Sequence, residues 1–243
     1  MKIIVVFKWS RNPQDARVGA EGNVDWRGVK MAASDDDHAV MEIARAIAEG
    51  GEIVGLTVGD GDVAWAAARG AVRTVVVTDA QTELNSSMTG SVLAAAIQRI
   101  EDVDAVLIGD SDWDYAVVAA LMGQLGWPAV ADVVSAATEQ GCLRVTRKMG
   151  SASQVLEVQG PVVLAVSASR AEQNAPGMKE VLAARKKPVE RLTLSDLKLA
   201  PVDAVNSKGT RFPDTPPARI IDGSDPVAAC EQLVAALRSD GVL

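Results

Sequence analysis

A chain with one histidine, two cysteines and 3% aromatic residues holds few of the side chains on which side-chain catalysis depends. His38 stands beside Asp35, Asp36 and Asp37 at the start of a helical pattern, where the acidic run would favour its charged form. No serine or cysteine motif pairs with it as a nucleophile, so no catalytic residue is assigned. Cys142 and Cys230 sit in no metal-spaced pattern and read as inert, partly buried thiols. Glycine-rich phosphate fingerprints are missing too: after the first strand comes "KWSRNPQDARV", and neither G-x-G-x-x-G nor a P-loop occurs. No run approaches the roughly eighteen apolar residues needed to span a bilayer. The opening "MKIIVVFKWS" is too short in its apolar part for a signal-peptide core, so a cytoplasmic location is expected. Basic surplus is also absent. A net charge of −8 argues against non-specific binding to nucleic acid or to an anionic membrane surface.

What is present is aliphatic. With 48% hydrophobic residues and so few rings, the core must be built from Ala, Val, Ile and Leu, and 243 residues suit one large α/β domain plus an appendage. "KIIVVF" (Lys2–Phe7), "EIVGLTVG" (Glu52–Gly59), "RTVVVTD" (Arg73–Asp79) and "DAVLIGD" (Asp104–Asp110) are β-branched runs of strand length. Helical patterns alternate with them: "SDDDHAVMEIARAIAEGG", with Val40, Ile43, Ala44 and Ile47 on one face, then "DVAWAAARG", "SSMTGSVLAAAIQRI" and "WDYAVVAALMGQLG". That alternation implies right-handed crossovers and a parallel sheet. After Pro128 the pattern changes to alternating strands broken at Glu139-Gln140-Gly141 and Gly150-Ser151, the mark of antiparallel hairpins added to the sheet. From about Leu199 to Asp225 the proline-rich sequence has no sustained period and reads as an extended arm. The amphipathic "DPVAACEQLVAALRSDG" closes the chain. Domain boundaries are therefore expected at 1–198 and 199–243, the second piece docking on its own domain or on another subunit.

Three segments carry candidate chemistry. In "SDDD", Ser34 is an N-cap with Asp37 three residues on as its capping-box partner, and the carboxylates suit the positive end of a helix. "GDSDWDY" (Gly109–Tyr115) leaves the carboxyl end of a strand, where nucleotide phosphates often sit, yet it holds three carboxylates. Asp110, Asp112 and Asp114 cannot all face a phosphate, since each would cost on the order of a kcal/mol at an effective dielectric near 20. The loop lacks the glycine and distal glutamate of a calcium loop, so no metal is expected. "MKEVLAARKKPVERLTLSDL" (Met178–Leu197) is the most basic piece of this acidic chain and follows the polar loop "SASRAEQNAPG". A polar loop feeding a short helix serves as a solvated face or as a recognition element.

Four local patterns resemble the beta subunit of electron-transfer flavoproteins, over roughly residues 1 to 200. They are "MKIIVVFK" with "ARV" downstream, "GNVDWRGVKM" before a helix, "VTRKMGSASQVLEVQGPVVLAV" with Arg147, Gln154 and Pro161 at matching places, and "APGMKEVLAARKKPVERLTLSDL". The resemblance implies a Rossmann-like, adenine nucleotide alpha hydrolase-like domain that pairs with an alpha subunit as a heterodimer. FAD would be held mainly by alpha, with AMP or a second FAD in the beta pocket, and the partners would be an acyl-CoA-type or other flavin dehydrogenase and a downstream acceptor. The flavin then carries the chemistry, which accounts for the thin catalytic inventory.

Carried over by position, the implied nucleotide pocket comprises Val6, Ser34, Asp35, Asp36, Asp37, Val58, Gly109, Asp110, Ser111, Asp112, Tyr115, Ala116, Val117 and Val118. Two departures stand out. Ser34-Asp35-Asp36-Asp37 replaces the family's N-P-F-[DE], and the acidic loop is about three residues shorter, with Tyr115, Ala116 and Val117 where small polar residues are expected. The implied partner-recognition segment is Pro176, Gly177, Met178, Lys179, Val181 and Leu182, with Met178 near the place of the family's recognition leucine. Two other readings remain: a non-redox adenine-nucleotide-binding or sensor module of the same fold, and a small hydrolase-like enzyme, which would need a nucleophile and base the sequence does not present.

Overall fold

The β-branched runs do form the centre of the molecule. In the computed structural model, which describes residues 1–59, 61–80, 85–110, 115–167, 175–199, 208–215 and 218–243, the elements follow in this order. They are β1 (Lys2–Val6), β2 (Ser10–Arg11), β3 (Arg17–Val18), β4 (Val24–Asp25), β5 (Met31–Ala32), α1 (Asp35–Ala48), β6 (Glu52–Val58), α2 (Ala64–Ala68), β7 (Arg73–Val77), α3 (Ser86–Ile97), β8 (Ala105–Gly109) and α4 (Tyr115–Leu125). Then come β9 (Ala129–Glu139), β10 (Cys142–Met149), β11 (Ala152–Val158), β12 (Val162–Val166), α5 (Met178–Ala184), β13 (Val189–Leu192) and α6 (Pro226–Ser239).

Nine strands make one sheet in the order β11-β10-β9-β12-β8-β1-β6-β7-β13. From β9 across to β13 every pairing is parallel, and β9-β10 and β10-β11 are antiparallel. The fold is thus a Rossmann-like α/β sheet extended by antiparallel strands, as the change of pattern after Pro128 predicts. Two points were not legible. Val189–Leu192 joins β7 as an edge strand, although a four-residue segment with two charges carries little strand signal. Between β1 and α1, Ser10–Arg11 pairs with Met31–Ala32 in a short ribbon of its own.

Strand alternation divides the core into two faces. Ile3, Val5 and Phe7 point to the side covered by α1 and α2, where Val40, Met41, Ala44, Ile47 and Trp65 meet them. Ile4 and Val6 point to the opposite side, closed by α3 and α4 through Val92, Leu93, Val117, Val118 and Leu121. Each fully buried Ile, Leu or Val contributes about 1.5–3 kcal/mol relative to an exposed one, so this aliphatic core suffices without rings.

Two compact units emerge: Met1–Arg17 with Val24–Lys208, and Val18–Asn23 with Gly209–Leu243. In the second, the described stretches 209–215 and 218–225 hold no helix or strand. Gly22 turns with a φ of 79° against the backbone of Arg211 and Phe212, and a Cβ there would lie 2.3 Å from the Phe212 nitrogen. In α6 the Asp225 carboxylate accepts from the Val227 and Ala228 N–H groups at 3.0 and 3.3 Å, and Pro226 opens the helix. None of its residues is buried.

Candidate functional site

The order of the sheet reverses between β1 and β8: β6 and β7 continue to one side of β1, β8 and β12 to the other. A crevice outside the carboxyl ends of the strands at such a switch is where open α/β sheets take their ligands. The start of α1 meets the end of β8 there. An added Cβ on Gly109 would lie 2.8 Å from the Asp36 Cβ, so only glycine lets this strand end and this helix start approach so closely. Val6 lies at the end of β1 beside Ile108 of β8, its side chain buried on the face closed by α3 and α4.

Asp37 holds this corner together. Its Oδ2 accepts from the Ser34 N–H at 2.9 Å and from the Lys8 N–H at 3.1 Å, while the Ser34 hydroxyl accepts from the Asp37 N–H at 3.2 Å. The capping box expected from Ser34-x-x-Asp37 is therefore present. Its carboxylate also reaches back to the exit of β1, a contact 29 residues apart that no local pattern announces. Asp37 is fully buried and its Oδ1 has no partner among the described residues. Burial pushes the carboxyl up to about 6, although the bonds from Ser34 and Lys8 pull the other way.

This network changes what the crevice offers. A helix N-terminus usually presents bare N–H groups to an anion, but here the Ser34 and Asp37 donors are taken by the capping box itself. Asp35, exposed, and Asp36, half-buried, add carboxylates in the same turn. Asp110 is engaged elsewhere. Its N–H donates to the Val166 carbonyl at 2.8 Å, and its Oδ2 accepts from the Asp132 N–H at 3.2 Å. Asp132 has a φ of 57° and lies where β9 slips register against β12. One carboxylate of the acidic loop thus fastens the exit of β8 to an irregularity in β9. Ser111, Asp112 and Asp114, with the side chain of Tyr115, lie outside the described residues.

Ala116 is half-buried, and the Val117 and Val118 side chains are in the core, so a ligand would meet that turn of α4 through its backbone. Val58 ends β6 and is half-buried, with the next N–H, of Gly59, bonded to Val77. The expected recognition segment forms the start of α5. Met178 is 78% and Leu182 54% exposed, Gly177 and Lys179 are exposed, and Pro176 and Val181 are half-buried. Glu180 reaches back to the Gly177 N–H as a cap. Lys187, from the basic run, donates to the Ala67 and Ala71 carbonyls at 2.9 and 2.8 Å, and so has a structural use that the charge run conceals.

An aromatic cluster was missed in the sequence because its members come from separate elements. Phe7 stacks on Trp65 at 5.1 Å, His38 meets Trp65 edge-on at 5.4 Å, and the Arg69 guanidinium lies 4.4 Å above the same ring. The acidic run does not win at His38: burial first, then Arg69, push its pKa down, against Asp35 and Glu42. Cys142 is half-buried and accepts from the Gln159 amide, whereas Cys230 is exposed rather than partly buried. Among the described residues no cluster of metal-ligating side chains is found, and no helix is long and apolar enough to cross a membrane.

A mostly parallel sheet whose strand order reverses between β1 and β8 defines the general class, a Rossmann-like open α/β domain. The particular family comes from comparison: the family model of the electron transfer flavoprotein domain matches residues 23–197, well over half of the chain. The chain belongs to the electron-transfer flavoprotein domain family, in which this domain is that of beta-type subunits. The family is one of electron carriers rather than of substrate-converting enzymes.

Proposed function

We propose that this chain is the beta subunit of a heterodimeric electron-transfer flavoprotein of the cytoplasm, passing electrons between a flavin dehydrogenase and a downstream acceptor. The observation that carries the reading is the family match over residues 23–197. The redox-active FAD is held mainly by an alpha subunit, and bound flavin supplies the one- and two-electron chemistry. This chain supplies position and electrostatics.

An adenine nucleotide, AMP or the adenine end of a second FAD, fits the crevice in part. Gly109 and the Ser34–Asp37 turn provide a close-set wall for an uncharged nucleoside. The N-terminus of α1 is poorly suited to phosphate, with the Ser34 and Asp37 N–H groups taken by the capping box and three carboxylates in the same turn. The phosphates therefore turn to the first turn of α4, the backbone of Tyr115 to Val118. The piece 1–198 is the nucleotide-binding domain, and 199–243 is an arm and helix that pack on alpha. Met178 and Leu182, with Pro176, Gly177, Lys179 and Val181 around them, face the dehydrogenase.

The test is co-expression with an alpha subunit encoded beside it, followed by an absorbance spectrum and extraction of bound nucleotide from the purified complex. A yellow complex containing FAD and adenine nucleotide is expected. A colourless chain that captures no alpha subunit but retains adenine nucleotide would replace this reading with the non-redox nucleotide-binding module.

A further inference from the structure

We infer that a second cleft, between α1, α2 and α5, is a binding site for a phosphate dianion. It has a volume of about 450 Å³ and is lined by Arg45, Arg69, Gly70, Pro176, Glu180 and Lys187, with alanines between them. That size lies within the range of small-ligand sites.

The charges in the cleft do not balance. Lys187 is committed, its ammonium covering the Ala67 and Ala71 carbonyls at the end of α2. The carbonyls that would repel an anion there are thereby neutralised. Glu180 is committed to the Gly177 N–H. Arg69 gives one N–H to the Trp65 carbonyl at 3.1 Å and lies over the Trp65 ring, and its buried Nε has no partner among the described residues. The aliphatic stem of Arg45 packs over Gly70, within 3.4 Å of where a Cβ would be, and the side chain forms no ion pair among the described residues. Two guanidinium groups thus line one concavity without a bridging carboxylate among the described residues, in a protein whose net charge is −8. Burial first pushes the pKa of Arg69 down, Asp62 opposes it, and the neighbouring Arg45 adds a smaller push downward. An anion between the two arginines relieves both effects.

The type of anion follows from the count. Three cationic side chains and one carboxylate line the cleft, an excess of two positive charges. A phosphate monoester carries up to two negative charges and neutralises it, whereas one carboxylate leaves half of the excess. Guanidinium forks also match the tetrahedral oxygens of phosphate.

The experiment is isothermal titration calorimetry of the full chain with inorganic phosphate at constant ionic strength. Saturable binding is expected, weakened about tenfold or more in Arg45→Gln. Arg69→Lys, which keeps the charge and loses the fork, should weaken it as well. Arg144→Gln, on the distant hairpin, should bind as the wild type does. Absence of saturation overturns the proposal, as does an affinity that Arg45→Gln leaves unchanged or that Arg144→Gln lowers equally. Saturation by acetate at the same concentrations as phosphate overturns the dianion assignment and gives the cleft to a carboxylate, such as a side chain of a partner protein.

Discussion

Helices α1 and α6 are each 14 residues long and open on a side-chain cap, Ser34 in one and Asp225 in the other. They differ in what they cover. Helix α1 buries seven residues, from Asp37 to Ala48, against the sheet, whereas α6 buries none and leaves Val227 70%, Leu233 48% and Val234 38% exposed. An isolated helix of this length is marginal in water, because most helical stability in proteins comes from packing an apolar face. The contrast teaches that caps set where a helix starts, while cover decides whether it lasts. The cover for α6 is to be sought outside its own unit, and under the proposed function an alpha subunit would supply it.

The largest effect is expected from charging that face. Leu233→Asp with Val234→Asp should abolish retention of the alpha subunit in a pull-down and leave the urea midpoint of the isolated chain unchanged. If the isolated chain unfolds instead, α6 belongs to the core and the contrast with α1 fails.

Single truncations sharpen the same comparison. Ile47, fully buried in α1, should cost about 2–4 kcal/mol as Ile47→Ala. Leu233→Ala in α6 should cost less than about 0.5 kcal/mol in the isolated chain. Equal losses in urea unfolding would show that the two helices are covered alike.

The buried acid of α1, Asp37, has no counterpart in α6, where no residue is buried. With its carboxyl raised to about 6, Asp37 binds a proton more tightly in the folded chain than in the unfolded one. Its contribution is therefore fully present below the ordinary carboxylate pKa and is lost as pH rises through about 6, on the order of 2–3 kcal/mol. Asp37→Asn should remove that dependence, so the difference in stability between variant and wild type should change between pH 4 and pH 7, as measured by urea unfolding at each pH. A difference that stays constant across this range would mean that the carboxyl titrates normally.

Smallest of all should be the structural effect of Met178→Ala, since the side chain is 78% exposed. Stopped-flow electron exchange with a dehydrogenase should slow several-fold while the melting temperature holds. An unchanged rate would remove Met178 from the recognition surface.

Much of the fold was legible because its signals are local. The β-branched runs gave β1, β6, β7 and β8, and Ser34-x-x-Asp37 gave the start of α1. What escaped depends on residues far apart in the chain. The Asp37 carboxylate on the Lys8 N–H, the Asp110 carboxylate on the Asp132 N–H and the packing of Arg69 over Trp65 against His38 each need the finished fold before the partners meet. The resemblance supplied the candidate crevice by position, but not the fact that the Ser34 and Asp37 N–H groups are already in use there.

The bonds of Asp37 have one more consequence. By joining the Lys8 and Ser34 N–H groups to one carboxylate, they close the base of the excursion between β1 and α1 like a clasp. Chain inside a closed base is cheap to vary, since each doubling of a loop costs only about 0.6 kcal/mol in closure entropy. Residues 24–32 are thus open to lengthening, so long as the acid that fastens the base is kept, whereas Trp9 and Ala33 pack on the core and Gly22 packs on Arg211 and Phe212.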